Sequence, residues 1–490
     1  LLPAGHEYLV PLLPGGYLLT GERTGNPLQG RLWLRDMRTG ANIQRFEGWM
    51  DGGSPSAVAA PGGRFVAVRG RAGELRVLDV QNLRCIYRCD PGGAASGLKL
   101  SANGEVLVWY RRVGKEIEVH MHHHAAKKTI VLRDLPRWDR VTFWLDNYSC
   151  LSPDGRWLLL PIELGRVRLW DTTTGKEASL LTEALARTEG ITWSPDGRFV
   201  AVHGITMVGV FGPRRQSELR VWDAATGTRL PQLVLTDISW PSVLFTHDSR
   251  TIVTGKGPRI QLWEIATGQE RFRLQGDLLS GIDSLALSAD GRMLASGDHG
   301  SEALVWDLTG RMPDGQWRTT NNSPEQLRAA WATLASGDAK AAYRALWQLV
   351  ADPDGAVAFL REQMRPIARP EPAQVARWIA ALDSPEFAER ERAERALEAR
   401  GETVEVEMRR TLTQKPTLEV RRRIEALLEK LHGLPQGRQL QALRAIEVME
   451  YINTSEARTL LRKLAAGASG ARLTEEARQV LRRCQTRRTP

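Results

Sequence analysis

The densest set of side chains able to do chemistry is His120-Met121-His122-His123-His124. Successive residues of a β-strand point to opposite faces, so on a strand His120, His122 and His124 share one face. Three imidazoles so placed have the donor chemistry of a zinc site. No cysteine or acidic ligand follows nearby, and the same residues read equally as the exposed end of an irregular strand. The expectation is therefore no bound metal and no other cofactor.

Other catalytic patterns are missing. The chain has no phosphate-binding Walker loop, no G-x-S-x-G elbow, no H-E-x-x-H pair and no G-x-G-x-x-G turn. Glu475-Glu476 stand at a helix start, where the macrodipole favours acids. Cys85, Cys89, Cys150 and Cys484 form no C-x-x-C pair, which suits a reducing compartment or plain core use. Arg478, Arg482, Arg483, Arg487 and Arg488 read as a solvated helix end able to meet an acidic surface. An enzyme is not expected.

The elements that must position these residues are set by a repeat. An apolar stretch, a turn such as S-P-D-G-R, a short strand and a second strand ending in W-D recur along the first two-thirds of the chain. Clear copies are Leu151 to Arg156 with Val167 to Gly175, Trp193 to Arg198 with Leu219 to Gly227, and Leu287 to Arg292 with Ala303 to Gly310. Weaker copies bring the number of units to seven. The W-D tryptophan place is held by Arg35, Leu78, Met121, Trp170, Trp222, Trp263 and Trp306. A period of roughly 40–45 residues is that of a four-stranded blade. Period-2 alternation marks the strands, and D-G and G-G supply the positive φ of tight hairpins.

These residues resemble WD repeats. The resemblance implies a seven-bladed β-propeller over residues 1–310. It also implies a buried hydrogen-bond network built on a Gly-His pair, of which Gly5-His6 is the surviving copy. Propellers of this kind take an outer strand of the last blade from the other terminus. Here that strand is expected from within residues 311–320, or not at all.

After Gly310 the period changes to 3.6. Residues 311–322 read as a linker or a last outer strand, and residues 323–490 as an all-α domain of helical repeats or a bundle. Ser323-Pro324-Glu325-Gln326 is a capping box, and Ser384 and Thr474 open two further start signals. Basic residues with Ala and Leu at helical spacing resemble HEAT-type repeats. The whole chain resembles the bacterial WD-repeat proteins with a C-terminal helical domain that abound in planctomycetes.

The chain has 490 residues, a quarter of them charged, and a net charge of +10 spread along its length. That is a globular composition, without a membrane span and without the dense basic stripe of a specific nucleic-acid binder. A cytoplasmic place is expected, with export left open because residue 1 is Leu. The functional expectation is a non-catalytic scaffold binding protein partners, acidic ones included, at the propeller face and the helical surface. The rival is a regulatory or sensor module with an enzymatic or transcription-related domain upstream of residue 1. The loops joining second and third strands are rich in arginine. The longest, residues 203–217, is apolar in its middle. Arg111, Arg112, Phe211, Arg214 and Arg215 are the partner-binding candidates.

Overall fold

The computed structural model describes residues 6–13, 17–23, 30–36 and 42–48 by their backbone alone. From residue 57 to 486 it describes all but 62, 70–72, 81, 83, 115, 134, 136–148, 162–166, 182–184, 209–213, 225–226, 237–242, 276–281, 283, 289, 298–302, 313–316 and 432–433. Two compact units follow one another, Leu1–Gly310 and Arg311–Pro490.

The first unit is a propeller of seven antiparallel sheets, each a meander in chain order. Six have four strands and the last has three. First strands of neighbouring sheets lie side by side, as Ala57–Ala59 does with His6–Leu13 and with Ala95–Leu100. His6–Leu13 also lies beside Ser284–Leu287, which brings the last sheet against the first.

A four-stranded sheet cannot bury both its faces alone, and here its neighbours do so. Leu107 and Trp109 pack with Leu75, Val77 and Tyr87 of the second sheet. The alternate residues Val106, Val108 and Tyr110 pack with Leu158 and Leu160 of the fourth. Each fully buried leucine contributes about 1.5–3 kcal/mol. This two-sided burial explains why Trp157–Pro161, W-L-L-L-P, is apolar without alternation.

The repeat signature has a structural cause at the turns of the fourth to seventh sheets. The hydroxyl of Ser152 accepts the Trp157 N–H at 2.8 Å and donates to Asp154 at 2.5 Å. Asp154 accepts the Arg156 N–H at 3.0 Å. The same arrangement recurs from Ser194, from Thr246 and from Ser288. Gly155 has φ +78°, and a Cβ there would stand 2.6 Å from Val106 of the preceding sheet. Backbone sign and inter-sheet packing both require glycine. The arginine of the turn then reaches the acid that ends the third strand. Arg156 lies 4.8 Å over the Trp157 ring and 3.7 Å from Asp171. Arg198 does the same with Phe199 and Asp223, and Arg64 with Phe65 and Asp79.

The second unit is helical, with ten α-helices among the described residues, from Pro324–Leu334 to Arg472–Thr486. Ser323 and Gln326 form the reciprocal capping box. Two start signals are displaced. The helix after Ser384 begins at Phe387, and Ser384 instead donates to Glu389 at 2.6 Å. Thr474 lies inside Arg472–Thr486 and is buried, not a cap. Helices Phe387–Arg400 and Leu418–Leu431 run in the same direction, tied by Arg423 to Glu394 and by Lys430 to Glu398 at 3.1 Å. Glu405–Thr413 connects them, so this stretch has the rhythm of stacked helical repeats. Gly437–Ile452 is instead a central helix, packed against Pro324–Leu334, Ala339–Val350, Ser455–Ala465 and Arg472–Thr486.

Residues 317–322 are held by the helical unit. Trp317 meets Trp347 edge-on at 6.0 Å. The Thr320 N–H donates to the Ala351 carbonyl at 2.8 Å, and the Asn322 N–H to Asp352 at 2.9 Å.

Candidate interaction face

The hairpin between the second and third strands of the third sheet joins Val106–Val113 to Glu116–His123. Its register sets Arg111 opposite Glu118 and Trp109 opposite His120. Glu118 is buried and draws three partners to its two oxygens. Arg111 donates to Oε2 at 2.6 Å, Arg133 to Oε1 at 2.8 Å, and His120 Nε2 lies 3.0 Å from Oε2. The hydrogen bonds from Arg133 and Arg111 hold the Glu118 carboxyl down at about 2. Arg111 also donates to the Gly92 carbonyl at 2.9 Å, so its charge is spent within the sheet stack. Arg112, next along the strand, is exposed.

His120, His122 and His124 do share a face, turned toward the second sheet. Each has work there. His120 is buried and stacks on Trp109 at 5.2 Å. Burial outweighs the Glu118 contact and keeps its pKa below the ordinary histidine value. His122 lies 3.0 Å from the Thr129 hydroxyl, and His124 stacks on Tyr87 at 4.1 Å. His123, on the opposite face, meets the Thr172 carbonyl of the fourth sheet at 2.8 Å. Among the described residues no three His, Cys, Asp or Glu side chains are grouped to hold a metal ion. The four cysteines form no disulfide with one another, and burial with the nearby Asp90 pushes the Cys89 thiol up to about 11. A thiol held protonated is a poor nucleophile.

The fifth sheet carries the longest hairpin, Phe199–Val208 with Arg214–Asp223. Among the described residues Arg187–Trp193 pairs as far as Ile205, and Arg229–Thr236 as far as Glu218. Among the described residues, 206–208 and 214–216 pair only with each other, with Met207 opposite Arg215 and Val208 opposite Arg214. Met207 is 49% exposed. Phe211 lies outside the described residues, and of Arg214 and Arg215 only the backbone is described.

Several groups were not singled out from the sequence. Glu118 is legible in retrospect as the cross-strand partner of Arg111, but Arg133 has no sequence signal. Trp263 donates to Thr254 at 3.0 Å and Trp306 to Ser296 at 2.8 Å, a hydroxyl two residues beyond the tryptophan's strand partner in each case. Among the described residues no helix is long and apolar enough to cross a membrane.

No family model matches the chain. Telomerase protein component 1 of Rattus norvegicus is 27% identical over 205 residues, 35% of this chain and 8% of that protein. Cell division cycle 20.1, cofactor of APC complex, of Arabidopsis thaliana is 29% identical over 172 residues, 33% of this chain and 34% of that protein. The chain thus spans a minor part of either relative. Among solved structures, Kuenenia stuttgartiensis hydrazine synthase aligns with a TM-score of 0.45 at 16% identity, over 62% of this chain and 96% of that one. The Myceliophteria thermophila Cps50 (Swd1) β-propeller domain aligns with a TM-score of 0.46 at 15% identity, over 62% and 97%. The turns, the W-D strands and the seven sheets make this chain a WD-repeat β-propeller followed by a helical domain.

Proposed function

We propose that this chain is a non-catalytic interaction scaffold that takes an acidic protein partner on the propeller face bearing the second-to-third-strand hairpins. The observation that carries the reading is the ribbon of residues 206–208 and 214–216. Among the described residues it pairs beyond its flanking strands, exposes Met207, and carries the consecutive Arg214 and Arg215. Exposed apolar surface beside cations costs solubility unless a partner covers it. Arg112 adds an exposed charge on the third sheet's hairpin, and cations on one face raise encounter rates with acidic partners. The Arabidopsis relative is named as a cofactor of a complex, which agrees with a binding role.

The test uses Arg112→Glu, Arg214→Glu and Arg215→Glu together, leaving Arg111 alone. Reversing Arg111 would set a second carboxylate against buried Glu118 and confuse lost folding with lost binding. Proteins captured by the parent chain are expected to be lost by the triple variant and by the parent at high salt. Capture unchanged by either would refute this face as the site.

A further inference from the structure

The helical unit holds two cores. One gathers residues from Val375 to Leu431, contributed by the helices Pro372–Ala381, Phe387–Arg400, Glu405–Thr413 and Leu418–Leu431. The other surrounds Gly437–Ile452 and the helices packed on it. The chain passes between these two lobes twice, through residues 364–371 and between Leu431 and Gly437. Residues 365 and 367–369 of the first crossing are exposed.

One carboxylate bridges the lobes. Phe387–Arg400 ends at Gly401, whose φ of +54° leads into the short turn Gly401–Val404. Glu402 on that turn reaches across. Its Oε1 accepts from Gln439 Nε2 at 2.7 Å and lies 2.9 Å from Arg472 Nε, and its Oε2 accepts the Arg472 backbone N–H at 2.5 Å. Arg472 is the first residue of Arg472–Thr486, so its N–H has no acceptor inside that helix, and a carboxylate there meets the positive end of the helix dipole. Arg472 Nη2 also donates to the Leu431 carbonyl at 3.3 Å, at the end of the first lobe.

Apolar side chains border the same junction. Val406 is 63% exposed and Ile367 38%. Both flank the loop of residues 467–470. The Ala468 N–H donates to the Ile367 carbonyl at 2.8 Å, and a Cβ on Gly470 would stand 4.0 Å from Val406 Cγ2. Units joined through polar contacts move relative to one another by default.

We propose that the two crossings form a hinge and that Glu402 is its latch. With its bonds to Gln439 and Arg472 made, the lobes are closed; with them broken, the lobe Val375–Leu431 swings on the crossings and changes how far Val406 and Ile367 are covered. The proposal does not depend on the partner-binding hairpin face.

Pulsed electron resonance on the full chain tests it. Spin labels are carried by p-acetylphenylalanine at the exposed positions Glu429 and Thr459, one in each lobe, so the cysteines stay untouched. The parent is expected to give one main distance and a minor second one. Glu402→Ala and, separately, Arg472→Met are expected to raise the second population at least about tenfold. Gln439→Ala removes a single exposed bond, too little to unfold the chain, and is expected to raise it roughly threefold. A purely structural contact would lower the melting temperature of the variants and leave the distances as they were. Distance distributions identical in the parent and in all three variants would overturn the proposal.

Discussion

The indole N–H of Trp306 donates to the buried hydroxyl of Ser296 at 2.8 Å, and that of Trp263 to Thr254 at 3.0 Å. In the fourth sheet Leu160 holds the corresponding place, and the indole nitrogen of Trp170 is buried without an acceptor among the described residues. Ser296→Ala and Thr254→Val are each expected to cost about 1–2 kcal/mol, because a buried donor loses its partner. Urea unfolding followed by tryptophan fluorescence measures this. A loss within a few tenths of a kcal/mol would show that the indoles find other acceptors.

The Glu118 cluster predicts a two-step loss of stability in acid. His120 and His122 have folded pKa values below the ordinary 6.5, chiefly through burial, so their stabilisation is present above that pH and declines below it. Glu118, held at about 2 against an ordinary 4.5, contributes stability above 4.5 that is lost as the pH falls toward 2. Glu118→Gln is expected to lower the melting temperature at pH 7 and to flatten its decline below pH 4.5. A variant that keeps the parent's full acid dependence in that window would assign the dependence to other carboxylates.

The histidines predict a further separation. One ring nitrogen each of His120, His122 and His123 meets Glu118, Thr129 and the Thr172 carbonyl, and the rings of His120 and His124 stack on Trp109 and Tyr87. A chelator is therefore expected to leave the melting temperature unchanged, whereas His120→Ala should lower it by exposing Trp109 and leaving Glu118 with one partner fewer. Stoichiometric zinc in the purified protein, lost with His120→Ala, would reverse this assignment.

Residues 317–322 predict where the helical fragment must begin. A fragment 311–490 keeps the Trp317–Trp347 contact and the bonds of Thr320 and Asn322, and one beginning at residue 323 loses them. The shorter fragment is expected to fold with a stability lower by roughly 1–3 kcal/mol. Equal denaturation midpoints would place these residues outside the cooperative unit.

Much of this architecture was legible because the clear repeats carry their own instructions. The hydroxyl-acid-glycine-arginine turn binds its own backbone and then the acid at the end of its own third strand, all within one unit. Degenerate units stayed readable through spacing, even where Met121 or Arg35 stands for tryptophan. Capping was legible at Ser323, whose partner Gln326 is three residues away. At Ser384 and Thr474 it was displaced: the N-cap position after Ser384 is Glu386, and Thr474 is buried inside its helix. The histidines show the limit. Their shared face followed from alternation, but Tyr87, Trp109 and the Thr172 carbonyl lie on other strands or sheets, and no local pattern names them. The same holds for Arg133 on Glu118.

One buried arginine in the helical unit bears on the order in which the chain folds. Arg444 donates to the carbonyls of Leu334 and Ser336 at 2.8 and 2.7 Å, and Gln441 to that of Trp331 at 2.7 Å. The last turn of the helix Pro324–Leu334 is thus completed by side chains about 110 residues later in the chain. Closing a loop of that length costs about 4 kcal/mol of chain entropy. A solenoid whose repeats touch only their neighbours can grow from either end. This unit cannot, since its opening helix waits for Gly437–Ile452 to arrive. During synthesis the helix Pro324–Leu334 therefore leaves the ribosome well before Gln441 and Arg444, the side chains that complete its last turn.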